Sequence, residues 1–549
     1  MPKHPKRQAK LHCKRQWKRL CKARLAPAMS PLAIVAAAAA AATLSSAQHA
    51  AATDFSVSMA ALDQPRINVA FARPSAPNDP LTGETLIINE DGELEFITTI
   101  QVEGFYDTGA SGIVLSENIA AALGMNLQTV NGEPAIFQDV AADGTVPFYV
   151  SEPLIMGMTN HWGAYDIGYD PARTRQLADP NNWNSLYTDR VGSVSSPIRT
   201  QIGPVGGGAN PFLDLNVVGM PAMQGRVIVM DARPTNNAVD LINNPDSNNI
   251  DANIRTFNYA PGTPFNPSDE FNPGIAPTDR HISLSYADFG QFTDITPGAQ
   301  LPALAENPFI GPNPLMNDPS DTTPPITLSQ NGQSVDGSWL LDTGAAASFV
   351  SQAKAFEIGV EYDPNNDLGS ASPKLLGVPL DDQFTLDITG IAGNAVKVAG
   401  FYADNLLVRT DEGDASDDLD DNHLNFRGAP VLVLDISVYD ELDDEEITLD
   451  GIFGMNFLIA TADVMQNPGD IFPTFFNPQE SPFDYIVFDE PAGKLGLSIA
   501  GNGVGPGGGP HHRPNPGGGG DGDDDGRITP EPGSLSLLAL GAIALIRRR

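Results

Sequence analysis

The tripeptide Asp-Thr-Gly occurs twice in this chain, at Asp107–Gly109 and Asp342–Gly344, and the two copies share context far beyond three residues. Aligning Asp107 with Asp342 also aligns Ser116 with Ser351, both nine residues on, and Gly124 with Gly359, both 17 on, without a gap. The register still holds 112 residues past each aspartate, where NVVGMPAM and GIFGMNFL place Gly219 and Gly454 behind two apolar residues and before a Met. One short motif arises easily by chance, but a pair with matching distant context marks an internal duplication. A chain built this way folds into two related units, each presenting one Asp-Thr-Gly loop.

Each unit reads as an apolar strand, the tight loop, a second apolar strand and a short helix. Ser116 and Ser351 have helix N-cap chemistry, Glu117 suits a first turn, and Gly124 and Gly359 suit helix C-termini. IVFDEPAGKLGLSI, from Ile486 to Ile499, predicts two strands around a Pro/Gly turn, and RVIVMD, ending at Asp231, is its shortened counterpart in the first half. Asp231 follows Asp107 by 124 residues, whereas Asp489 follows Asp342 by 147. The second unit therefore carries about 23 extra residues, expected between Ile459 and Asp484.

Two Asp-Thr-Gly loops, each followed by an apolar-apolar-Gly element, resemble the bilobal pepsin-like aspartic proteases over roughly residues 86–500. Asp450–Leu497 likewise resembles the closing part of a pepsin-type C-terminal lobe. The resemblance implies an all-β protein with the pepsin-like acid protease fold, two pseudo-symmetric β-barrel lobes and an active-site cleft between them. It also implies that Asp107 and Asp342 are the catalytic pair of an endopeptidase that needs no metal or organic cofactor, and that its substrate is an extended polypeptide. One chain supplies both aspartates, so a monomer is expected. The rival expectation is a surface or matrix protein that keeps the bilobal fold as a non-catalytic binding module.

The chemistry accounts for the residue types. Two carboxyls within hydrogen-bonding distance cannot both ionise easily and share one proton, for which this protease family is the standing example. The ionised member takes a proton from water, the water attacks the peptide carbonyl, and the protonated member stabilises the developing oxyanion. Gly109 and Gly344 allow a tight turn, and the Thr108 and Thr343 hydroxyls can tie the loops together. Ala110 and Ala345 stand where many pepsins carry Ser or Thr; DTGA, like GIFGMNFL, is similar to retroviral-type proteases. Without a hydroxyl donor to the ionised carboxylate the dyad's pKa is expected to rise, extending activity toward neutral pH. For a lid over the cleft, the sequence offers a hairpin turn at Asp143-Gly144 with Tyr149 beyond it, and a glycine-rich Gly390–Gly393 in the second unit.

The ends read as addresses. Ten Lys/Arg and no acid precede Ala47, then come an Ala-rich run from Pro31 to Leu44 and small residues, the order of a secretory signal cleaved after Ala47 or Ala52. Cys13 and Cys21, the only cysteines, lie within it, so the exported body has no thiol chemistry. Pro530-Glu531-Pro532, an apolar run and Arg547 to Arg549 resemble the PEP-CTERM sorting signal. That implies export in a Gram-negative bacterium, transient inner-membrane anchoring, and the matching sorting and processing machinery as partner. Expected boundaries are 1–52 for the signal region, 53–235 for the N-terminal lobe, 236–323 for the interlobe connection with an insertion, 324–500 for the C-terminal lobe, 501–529 for a Gly/Pro/Asp linker and 530–549 for the sorting segment.

The formal charge is -37, and because the basic residues sit at the two ends, 18 basic residues face 67 acidic ones in between, a net of -49. That balance argues against nucleic-acid binding. The acidic stretches Asp411–Asp421 and Asp440–Glu446 lack calcium-loop spacing and read as solvated surface. DGDDDGRITPE, from Asp521, misses an EF-hand loop by one position, and His511 and His512 share that linker. His161, His281 and His423 have no Ser or Cys partner by spacing, which gives a hydrolase triad little support.

Overall fold

A computed structural model of the chain describes residues 53–500, save for 89–93, 100, 142–143, 159–160, 163–188, 206–215, 246, 248–251, 270–271, 289–294, 317–319, 390–394, 419, 441–444 and 466–473. These residues are mostly β. A chain with 53 Gly and 47 Pro breaks helices early, and the longest described helix has eight residues.

After a short first strand, β1 (Thr53–Phe55), seven strands of the first half share one sheet: β2 (Arg66–Ala72), β3 (Val102–Tyr106), β4 (Ile113–Leu115), β5 (Ile136–Ala141), β6 (Gly144–Val150), β7 (Gln201–Ile202) and β8 (Val217–Val218). Their order is β5-β6-β7-β4-β8-β3-β2, continued beyond β2 by Ile155–Met158 and Asp189–Val191. β3 alternates buried with more exposed positions, the period-two signature of a strand covered on one face, while β2 is buried at every position and reads as a continuous core strand. Next come β9 (Val227–Asp231), β10 (Arg255–Tyr259) and β11 (Arg280–Ser283).

The second half repeats the first. β12 (Asn307–Ile310), β13 (Trp339–Leu341), β14 (Phe349–Val350), β15 (Gln383–Thr389), β16 (Ala395–Val408), β17 (Leu424–Val433) and β18 (Gly451–Phe453) stand in the order β15-β16-β17-β14-β18-β13-β12. From β2 to β8, every strand has its counterpart ten numbers later, in the same place and with the same relative direction. β4 runs parallel to β7 and antiparallel to β8, as β14 does to β17 and β18. β3 and β8 are parallel, as are β13 and β18.

The halves meet in a six-stranded sheet, in the order His161–Trp162, β10, β9, β19 (Phe483–Asp489), β20 (Lys494–Ile499), β11. β9 pairs antiparallel with β19, Val229 opposite Val487. A two-fold axis through that pair carries Asp231 onto Asp489, the two residues the sequence pairs as counterparts. A hairpin made by Thr461–Met465 and Thr474–Gln479 occupies the interval expected to hold the second unit's extra residues. One apolar cluster runs through both halves, including Ile67, Tyr106, Val218, Leu341, Val350 and Phe453.

The two short helices after the loops are capped alike. In α1 (Glu117–Ala122) the Ser116 side chain accepts from the Ile119 N–H at 3.2 Å. Past the longer α2 (Asn236–Asn243), the second unit's α3 (Gln352–Glu357) has Ser351 accepting from Lys354 N–H at 3.2 Å. Gly124 and Gly359 end them at φ 61° and 77°, where an L side chain would be strained.

The chain does not keep to its halves. β1 pairs parallel with β17, and Ala60–Ala61 pairs with the second unit's extra hairpin. Within 236–323, β10 and β11 join the six-stranded sheet, while β12 and Ser285–Ala287 belong to the second half's sheet. The segments 1–52, 501–529 and 530–549 lie outside the described residues, and so do Gly390–Gly393 and the terminal signals with them.

Candidate active site

Each Asp-Thr-Gly loop leaves the end of a strand, β3 or β13, whose parallel neighbour supports the aspartate: Asp107 N–H donates to Val218 O at 3.2 Å, Asp342 N–H to Phe453 O at 3.0 Å. The loop then passes over the glycine of the apolar-apolar-Gly element. A Cβ on Gly219 would stand 2.2 Å from Gly112 O and 2.3 Å from Ala110 O; one on Gly454 would stand 2.5 Å from Ala347 O. Only glycine fits under the loops, which is why that element recurs in the sequence at fixed distance.

The loops face each other and are locked reciprocally. Thr108 N–H donates to Thr343 Oγ1 at 3.0 Å and Thr343 N–H to Thr108 Oγ1 at 3.1 Å. Each hydroxyl then donates to the strand before the opposite loop, Thr108 to Leu341 O at 2.5 Å and Thr343 to Tyr106 O at 2.7 Å. Both threonines are buried at 2% exposure, so four hydrogen bonds are made where none could be replaced by water.

That lock brings the Asp107 and Asp342 carboxyls within hydrogen-bonding distance of each other. The glycines complete the fit. A Cβ on Gly109 would lie 2.5 Å from Asp342 Cγ, and one on Gly344 would lie 2.4 Å from Asp107 Cγ. Each loop's glycine thus cedes the space that the other loop's carboxyl occupies. Asp107 Oδ1 accepts from Gly109 N–H at 2.8 Å; Asp342 Oδ1 accepts from the N–H groups of Gly344 at 2.8 Å and Ala345 at 2.9 Å.

The carboxyls are crowded by protein yet still reach solvent. Burial raises both above the ordinary carboxylate range. At Asp342 the charge of Asp107 pushes the same way and the rise is large; at Asp107 hydrogen bonds from Asp342 and from the N–H groups of Gly109, Gly344 and Ala110 pull back. Such a pair holds one proton between two carboxyls over a wide pH range and titrates jointly. All six residues singled out by the sequence, Asp107, Thr108, Gly109, Asp342, Thr343 and Gly344, meet here.

Of two further neighbours of the loops, sequence reasoning missed one and offered the other only as a candidate lid. The Gln64 side chain donates to Gly344 O, from a segment 280 residues away in the chain. The β5–β6 hairpin also folds onto the site: Val146 and Phe148 pack with Val114 and Val217 against Ala110, the residue after the first loop. The turn expected at Asp143-Gly144 is not placed, since residues 142–143 lie outside the described residues and Gly144 already opens β6, opposite Ala141. Tyr149 stands at the base of this hairpin, opposite Ile136 and Ile202, on the face away from Phe148.

Elsewhere the acidic stretch from Asp411 is tied down by local bonds, Asp414 to Ser416 N–H at 2.9 Å and Asp420 to Asn422 N–H at 2.9 Å, and by ion pairs of Asp411 with Lys494 and Asp418 with Arg409. His281, without an expected Ser or Cys partner, bridges Thr278 Oγ1 at 2.7 Å and Glu412 Oε1 at 2.6 Å. Glu412 also accepts His281 N–H, so this network fastens the acidic stretch to β11. Neither models of known protein families nor curated proteins give a match to this chain.

Proposed function

We propose that the protein is an aspartic endopeptidase with a bilobal, pepsin-like fold. The observation that carries the proposal is the pair of carboxyls held face to face by two duplicated loops whose glycines each accommodate the other's aspartate. In this reading the ionised member takes a proton from a water between the carboxyls. The water attacks the substrate carbonyl, and the protonated member donates to the oxyanion and then protonates the leaving amine. The threonine lock fixes the carboxyls before substrate arrives, so little reorganisation accompanies the reaction. The repeated seven-strand order supports the bilobal fold. The substrate is an extended polypeptide, and no cofactor enters the reaction. The terminal sequences support an exported protein, anchored transiently at the inner membrane and released to the cell surface or beyond.

The test is incubation with denatured protein across pH 3 to 7, for the wild type, Asp107→Asn and Asp342→Asn. Each substitution should reduce cleavage by at least about 1000-fold, since the pair acts as a unit. The wild-type profile should extend well above pH 3, because both carboxyls are raised and no side-chain hydroxyl follows either glycine. Cleavage untouched by either substitution eliminates the dyad, and its absence at every pH favours the non-catalytic binding module.

A further inference from the structure

Two side-chain amides grip the Asp-Thr-Gly loops, each from the opposite half. Gln64, just ahead of β2, donates to Gly344 O in the second loop, and Asn307, the first residue of β12, donates through Nδ2 to Thr108 O in the first loop at 2.9 Å. The two amides are counterparts. β2 pairs with β3 with Arg66 opposite Phe105, and β12 pairs with β13 with Phe309 opposite Leu340, in each case two residues before the aspartate. Counting back two from Arg66 and from Phe309 reaches Gln64 and Asn307, each followed by a proline. They precede their aspartates by 43 and 35 residues, and this unequal spacing hides the correspondence from a gapless alignment.

The carbonyls they hold belong to particular peptide units. A trans peptide is planar with its C=O and N–H pointing opposite ways, so fixing the carbonyl aims the N–H across the same bond. The unit that Asn307 grips ends in Gly109 N–H, which donates to Asp107 Oδ1 at 2.8 Å; the unit that Gln64 grips ends in Ala345 N–H, which donates to Asp342 Oδ1 at 2.9 Å. A bond accepted by the C=O also polarises the N–H and strengthens the bond that it donates. Asn307 is fully buried, and its Oδ1 has no donor among the described residues. An oxygen left so costs stability, a cost that a grip on Thr108 O explains and packing alone does not.

We propose that Gln64 and Asn307 are positioning residues, each aiming one backbone N–H at the carboxyl of the opposite half. This rests on the endopeptidase reading of Asp107 and Asp342, and both amides act through the backbone. An N–H aimed at a carboxylate favours its ionised form, so the amides set how far into acid the dyad keeps its charge. Besides Asp107 and Asp342, the charged groups around the loops are Asp139 on β5, Asp63 paired with Arg66, Glu103 beyond Arg66, and the exposed Glu306. Exchanging an amide for an apolar side chain alters none of these charges, so a shifted pH profile reports on the aimed N–H groups.

The experiment measures kcat, KM and the pH profile of kcat/KM for the full-length protein, Gln64→Met and Asn307→Leu, on a peptide carrying one cleavage site mapped in denatured protein. Both substitutions keep the side chain's approximate size and remove its donor. Each should lower kcat about tenfold with KM nearly unchanged, the mark of an interaction that serves the transition state. Each should also move the acidic limb up by roughly half a pH unit, because the ionised dyad loses part of its support. Thermal melts establish that the variants fold; Gln64 is only partly buried, so Gln64→Met decides the matter if Asn307→Leu does not fold. A lowered melting temperature with kcat and the pH profile intact assigns the amides to the fold alone and overturns the positioning role, leaving the dyad standing. An effect confined to one of two folded variants overturns the crossed pair. Cleavage that survives in Asp107→Asn instead overturns the endopeptidase reading, and the positioning role falls with it.

Discussion

Asp342 illustrates how one residue can serve a site at the expense of the fold. Its carboxyl is raised well above the ordinary value by burial and then by the charge of Asp107. The sign follows from linkage: a raised group binds its proton more tightly in the folded than in the unfolded chain. The associated stability is complete below the unfolded value of about 3.9 and is lost as pH climbs through the raised one. Asp342→Asn cannot ionise and escapes that loss. Its melting temperature relative to wild type should therefore be higher at pH 7 than at pH 3.5, by roughly 2–4 °C, and differential scanning fluorimetry at the two values decides it. An offset that does not vary with pH would mean the carboxyl is not raised. At this scale the sequence was informative because identity alone dictates role: Asp for the proton, Thr for the lock, Gly where no Cβ fits. Gln64 was not legible, because it meets the second loop only through a hydrogen bond to Gly344 O, 280 positions away.

Among elements, the loop pair is stabilised by hydroxyls that cross from one half to the other. Thr343→Val removes the acceptor of Thr108 N–H and the donor to Tyr106 O, leaving two buried groups unpaired at a cost of about 2–4 kcal/mol. Thr108→Val does the same to Thr343 N–H and Leu341 O. Because both changes let the same two loops part, the double variant should lose less than the sum of the two, a coupling that urea titrations of the four proteins measure directly. Thr343→Ser keeps the hydroxyl and should recover most of the loss; strict additivity would show that the loops do not act as one element. The strands on either side of each loop were readable because their apolar runs are bounded by turn residues, and the caps because Ser and Gly stand at helix-length spacing. The identity of the hairpin covering the site was not readable in full. The turn signal of Asp143-Gly144 is local chemistry, but which face of β6 meets Ala110 depends on the register with β7, and this puts Phe148 inward and Tyr149 outward.

For the whole molecule, the duplication predicts two units but not how they are fastened. β9 and β19 carry apolar runs with no trace in them of which strand each will pair with, and β1 is three residues whose partner lies 371 positions away. Pairing at such distance is decided by tertiary fit, which local pattern does not encode. That fastening has a measurable consequence. Phe55, on β1, lies 5.6 Å from the ring of Phe426 on β17 and 5.4 Å from Phe483 on β19, so the N-terminal strand wedges between the second half's sheet and the joining sheet. Phe55 is only half-buried, and its replacement by Ala should cost about 1–2 kcal/mol, below the range for a fully enclosed Phe. The distribution of the damage discriminates more sharply than its size. Hydrogen exchange should quicken at Leu424–Phe426 and at the start of β19, hundreds of residues downstream, while β2 and β3, which follow β1 in sequence, keep their protection. Faster exchange in β2 and β3 instead would mean that β1 acts as part of the first unit and does not help to fasten the halves.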